Sequence, residues 1–156
     1  MKYLTLILTL AITACSNSDS VSVNEKIAAL NGTWVGVCIV VYRDGGPSGE
    51  YAINTYNFSN GNYTSNFTLY SDKDCVSESS IAKEEIGIVT FIEEVLTESG
   101  LTANKVQFER FDTDSIKPPT SETILYIDNN NLYFGAFLDD LNVIFFDYPY
   151  IKNISN

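Results

Sequence analysis

Few residues in this 156-residue chain are equipped for chemistry. It carries 20 Asp and Glu, 9 Lys and Arg, three cysteines and no histidine. Without histidine there is no serine/histidine or cysteine/histidine nucleophile pair, and the usual zinc sites lose a ligand. The carboxylates remain. Glu84-Glu85, Glu93-Glu94 and Asp139-Asp140 are paired, but general acid/base work needs two carboxyls converging on one substrate. Neighbours along an extended strand point to opposite faces, so these acids are expected on the solvated surface. Asp72 with Asp74, and Asp112 with Asp114, have the i, i+2 spacing of calcium loops. Neither is set in the twelve-residue loop with its central Gly and distal Glu. No phosphate-binding loop is present either. These residues predict a protein that is not an enzyme and holds no metal or cofactor. A formal charge of −11 also argues against a nucleic-acid partner, which clustered Lys and Arg would have to bind.

The cysteines are better placed than the acids. Met1-Lys2-Tyr3 is a short positive region, and residues 4–12 are apolar apart from Thr5 and Thr9. That is the length of a signal-peptide core and too short to cross a bilayer. The run ends Ile12-Thr13-Ala14-Cys15, which resembles the lipobox of bacterial lipoproteins. The resemblance implies cleavage after residue 14, diacylation of Cys15 with palmitate-type chains, and a membrane anchor that does not span. Each buried methylene adds about 0.8 kcal/mol, so two or three chains hold durably. Ser16 stands where an aspartate would resemble an inner-membrane retention signal, so the outer membrane is the expected address in a Gram-negative cell. Residues 15–24 are rich in Ser and Asn and suit a flexible tether. The mature chain loses Lys2 and no acid, which deepens the charge imbalance to −12.

With Cys15 committed to lipid, an exported chain keeps Cys38 and Cys75. Two thiols in an oxidising compartment are expected to form one structural disulfide. No CxxC spacing marks them as redox-active or metal-binding.

The elements that must position these residues read as strands. Residues 24–30 make one or two helical turns, with Asn24 as the expected N-cap. Residues 33–42, TWVGVCIVVY, are β-branched and aromatic and predict one long strand. Arg43 to Gly49 form a turn, residues 51–58 a strand, and Asn60-Gly61 a hairpin into residues 63–70. Residues 81–99 also fit a helical repeat, but Gly87 and the run 86–92 favour strands. Further strands are expected at 101–111, 123–127, 132–135 and 143–146, with a loop at 117–120 and a tight turn at 128–131. The domain, residues 25–156, is therefore expected to be all-β: an antiparallel up-and-down barrel of about eight strands with a short N-terminal helix.

A helix followed by Gly32-Thr33-Trp34 at the head of the first strand resembles the Gly-x-Trp signature of lipocalins. With Cys38, Tyr63-Thr64, Tyr70, Asp72, Cys75, residues 99–103, 124–127, 132–135 and Tyr150, the chain is similar to bacterial lipocalin-like lipoproteins. The resemblance implies that Trp34 closes one end of the barrel. The arginine that lies across this tryptophan in lipocalins has no match near the C-terminus, and Lys152, Arg43 and Arg110 are left as substitutes. An eight-stranded barrel holds its own side chains or one small apolar ligand. Tyr63, Phe67, Leu69, Val106, Phe108 and Tyr126 are the candidate lining residues, with a hydroxyl or Arg110 orienting a polar head. The expected function is an envelope lipoprotein, anchored to a membrane, that binds a small hydrophobic ligand. Two alternatives stand beside it: a protein-binding module, such as an inhibitor of a basic lysozyme-type enzyme drawn by the acidic surface, and a passive structural lipoprotein.

Overall fold

The computed structural model describes residues 21–111, 119–139 and 141–154. Cys15, the signal and most of the tether, Asp112, Asp114 and Asp140 lie outside them. Helix α1 (Val23–Leu30) opens the domain. Its N-cap is Ser22 rather than Asn24. The sequence Ser22-Val23-Asn24-Glu25 is a capping box: the Ser22 hydroxyl accepts from the Glu25 amide at 3.3 Å, and the Glu25 carboxylate accepts from the Ser22 amide at 2.8 Å. At the other end, the Asn31 side chain accepts from the Asn60 amide at 2.8 Å and ties the helix to the hairpin turn after β3.

Ten strands follow: β1 (Gly32–Gly36), β2 (Ile39–Arg43), β3 (Gly46–Ser59), β4 (Asn62–Tyr70), β5 (Glu78–Leu96), β6 (Thr102–Arg110), β7 (Thr120–Asp128), β8 (Asn131–Leu138), β9 (Leu141–Ile144) and β10 (Tyr150–Asn153). Eight of them close a ring, because β1 pairs with both β3 and β10, and β10 returns to β8. All pairings are antiparallel, and consecutive strands from β3 to β8 are neighbours. The fold is thus an all-β, up-and-down barrel of eight strands with one short helix. The Asn60-Gly61 turn forms as its sequence requires, both residues having positive φ (50° and 82°). The ambiguous segment at 81–99 resolves as one 19-residue strand, whose registers shift at three places against β4 and β6. Gly87 makes the tightest packing in it possible. A Cβ there would stand 2.0 Å from the Glu109 carbonyl oxygen and 2.7 Å from the Tyr63 ring.

The single strand expected over 33–42 is instead two, interrupted at Val37 and Cys38. There Cys38 leaves the ladder for its disulfide with Cys75, across a Cα–Cα distance of 5.9 Å. A loop closed over a sequence separation of 37 adds about 4 kcal/mol in the chain-entropy account. Asp72 shapes the far side of this bridge. Its carboxylate accepts from the backbone amides of Asp74, Val76 and Ser77 at 2.6–3.2 Å, so it builds the turn on which Cys75 sits.

Two cores form on opposite faces of the sheet. Inside the barrel lie Leu30, Trp34, Phe58, Tyr63, Val106, Phe108, Leu125 and Leu132, with Tyr56, Phe134 and Tyr150 packed against them. The rings of Tyr56, Phe58, Tyr63, Phe108, Phe134 and Tyr150 touch one another, with centroids 4.9–6.4 Å apart. Outside, Ala103, Ile124 and Ile144 form a smaller cluster with Tyr126 and Tyr133. It is covered because the β5–β6 hairpin meets β9: the Asn142 carbonyl accepts from the Glu98 amide, and the Asn142 side chain donates to the Leu96 carbonyl, both at 2.9 Å.

Candidate ligand-binding cleft

The helix end of the barrel is plugged. Trp34 is fully buried, and its indole N–H donates to the Leu30 carbonyl at 2.7 Å. Of the three cations left open by the sequence, Lys152 is the one over its ring. The Lys152 Nζ stands 4.9 Å from the ring centroid and donates to the Ala29 carbonyl at 3.2 Å. The stem reaches this position past Gly32, where a Cβ would lie 2.9 Å from the Lys152 Cε. Arg43 pairs with Glu50, and Arg110 with Glu85.

The opposite end is open in a particular way. The ladder between β1 and β10 ends at the pair Gly36 and Tyr150. Beyond it, β2 pairs with β3 on one side and has no partner strand on the other among the described residues. Strand β9 pairs with β8 and places Ile144 in the outer cluster. A cleft of about 550 Å³ occupies the gap. Gly36, Asn54 and Tyr150 line it where the ladder ends, Ile39, Val40 and Tyr42 line it along β2, and Tyr148 lies opposite. These side chains are exposed for their type: Val40 is 40%, Tyr148 57% and Tyr42 70% accessible. Exposed apolar residues lining a concave surface make it a candidate binding site.

Two smaller chambers are linked to the cleft in turn by shared lining residues. One, of about 180 Å³, is lined by Asn54, Tyr56, Ser65, Phe67, Lys83 and Glu85. The other, of about 170 Å³, shares Tyr56 and Glu85 and adds Tyr63, Phe108 and Phe134. Asn54 therefore stands between the cleft and the first chamber, and Tyr56 with Glu85 between the two chambers. Burial pushes the Tyr56 hydroxyl well above the ordinary phenol range, the nearby Tyr150 adds to this, and hydrogen bonding from Asn54 pulls part of it back. Burial raises Tyr150 and Tyr63 in the same direction. These phenols stay un-ionised and act as hydrogen-bonding groups, not bases. Glu85 is held below its usual range first by its hydrogen bond with Lys83, then by Arg110, whose guanidinium lies 2.9 Å away.

The residues expected to line a ligand site are divided by the structure. Tyr63, Val106 and Phe108 belong to the packed interior, with Tyr63 and Phe108 edge to face at 4.9 Å. Phe67 and Tyr63 each border a chamber. Leu69 is buried opposite Ala52, and Arg110 closes on Glu85 beside the chambers. Tyr126 is a correction: it lies on the face of β7 opposite Leu125 and Ile127, stacked on Tyr133 in the outer cluster. The paired acids separate as strand geometry requires. Glu94 bonds Lys26 on α1 at 2.6 Å, while Glu93 faces Lys105 at 4.0 Å. Sequence reasoning missed Asn54, Tyr148, Tyr150 and the β2 wall. The signal for Asn54 was present: it is the polar member of the alternating set Ala52, Asn54, Tyr56, Phe58.

Comparison with protein-family models, curated proteins and solved structures returns no match for this chain.

Proposed function

We propose that this chain is a lipid-anchored, non-enzymatic protein of the bacterial cell envelope, lipocalin-like in plan, that binds a small hydrophobic ligand at the open end of its barrel. The observation that carries this reading is the cleft of about 550 Å³, walled by exposed apolar side chains where the barrel wall is left unpaired. Its volume lies in the range that encloses a small ligand. The aromatic packing inside favours a ligand at the mouth over one in a deep calyx. The expected anchor at Cys15 suits this arrangement. Five residues stand between Cys15 and Val21, a reach of about 20 Å when extended, which keeps the helix end within reach of the lipid.

Organic extraction of the purified protein, followed by mass spectrometry, tests the reading. A ligand near one per chain is expected. A chain that yields no lipid and co-purifies with a basic protein would instead favour the acidic surface as the working part.

A further inference from the structure

Strand β2 has a free edge. It pairs with β3 from Ile39 opposite Ala52 to Arg43 opposite Gly46, and its other edge meets no strand among the described residues. The neighbouring ladder, between β1 and β10, stops short of it at the pair Gly36 and Tyr150. A sheet edge offers its N–H and C=O groups to any extended chain that reaches it. Natural edges are commonly blunted by Lys or Pro, yet residues 39–42 read Ile-Val-Val-Tyr, and Ile39, Val40 and Tyr42 are exposed. The one charge on the strand, Arg43, is paired with Glu50 at 2.7 Å. The strand lines the cleft together with Tyr148 and Tyr150.

We propose that the cleft takes a short apolar peptide, laid along the free edge of β2 as an added strand. The inference rests on the cleft being a ligand site and names the class of ligand. In this mode backbone hydrogen bonds supply affinity, and the surfaces that meet alternate side chains supply selectivity. The edge is five residues long, about 16 Å, which matches four or five residues of a partner. A second copy of the chain suits it less. The register shifts between Val40 and Tyr42, and a bulge turns an edge away from flat sheet-to-sheet pairing. Each copy also brings a charge of −11. That charge selects the peptide further. No residue lining the cleft among those described is Asp, Glu, Lys or Arg, so the middle of the peptide is uncharged. Asp44 beyond β2 and Asp147 beside Tyr148 favour Lys or Arg at its ends.

The test compares the capped peptide Lys-Val-Thr-Val-Thr-Val-Lys with the same peptide N-methylated at its three central residues. Methylation keeps the side chains and the charge but removes backbone donors from both edges. Each peptide is titrated into the full chain and followed by the amide shifts and hydrogen exchange of Ile39 to Arg43. The unmodified peptide is expected to slow exchange there and to bind about tenfold more tightly than the methylated one. Replacing both lysines of the peptide with glutamate is expected to weaken binding, less so as salt is raised; equal binding of that form overturns the selection by charge. Equal affinity for the unmodified and methylated peptides, or failure of both where 1-octanol still moves these resonances, overturns strand addition and leaves the cleft standing. If neither peptide nor 1-octanol moves them, the cleft is not a ligand site and both readings fall. Protection that is present without peptide and grows with chain concentration assigns the edge to a second copy and overturns the proposal.

Discussion

Replacing Lys152 with methionine tests how the barrel is plugged. Methionine keeps an apolar stem to pass Gly32 and loses the charge. Two contacts disappear: the ammonium 4.9 Å from the Trp34 ring centroid, and its hydrogen bond to the Ala29 carbonyl at 3.2 Å. A cation over a tryptophan face contributes about 1 to 2 kcal/mol as its surroundings become drier. A charge-assisted bond to a carbonyl in the last turn of a helix adds about 1 kcal/mol, helped by the helix dipole. The ammonium keeps some contact with water, so the combined loss is set near the lower end, at about 2 kcal/mol. Urea unfolding followed by Trp34 fluorescence measures it. With a slope of about 2 kcal/mol per molar for a chain of this size, the midpoint should fall by about 1 M, with the slope unchanged. Lys152→Arg should keep most of the stability, since a guanidinium stacks on an indole as well. A shift under about 0.2 M for Lys152→Met would show that Lys152 does not brace Trp34.

Three further outcomes are expected. Replacing Cys38 and Cys75 together with serine removes a constraint on a long loop, and thermal unfolding should show a loss of about 4 kcal/mol or less; a thermally unchanged variant would refute the stabilising role. Glu85 is depressed in the folded state by Lys83 and Arg110, so its contribution to stability is present above the ordinary glutamate range and is lost as pH falls through its folded value. Glu85→Gln should therefore be less stable than the parent at neutral pH and lose less on acidification, as unfolding midpoints at pH 7 and pH 3 will show; parallel curves would contradict the assignment. Cys15→Ser should move the protein out of the membrane fraction, and unchanged fractionation would remove the lipid anchor from the account.

Local chemistry and global closure were unequally legible in the sequence. The Asn60-Gly61 turn, the half-buried strand after it and the disulfide follow from turn geometry, period-two alternation and the cysteine count, which are all local or compositional. The break at Val37 and Cys38 was hidden because residues 33–42 are β-branched and aromatic apart from Gly36 and Cys38, and neither of those by itself marks where a partner strand ends. Tyr126 was misplaced for a related reason. Ile124, Leu125, Tyr126 and Ile127 are apolar on both faces, since the outer face is itself covered where β9 and the β5–β6 hairpin meet. Alternation assigns an inside only when the outside is polar. The N-cap was readable from Ser22 and Glu25 but was assigned to Asn24, two residues late. The cleft depends on which strand fails to pair, a property of the closed barrel as a whole. Asn54 alone betrayed it, as one amide in a row of apolar side chains.

The central claim is that a small apolar ligand occupies the gap beside β2. Its most direct test is photolabelling of the full chain with an alkyl-diazirine alcohol, followed by peptide mapping. Label is expected on Ile39, Val40, Tyr42 and Tyr148, and is expected to be displaced by unlabelled 1-octanol. Label spread over the surface without displacement, or confined to the outer cluster around Tyr126 and Tyr133, would contradict it.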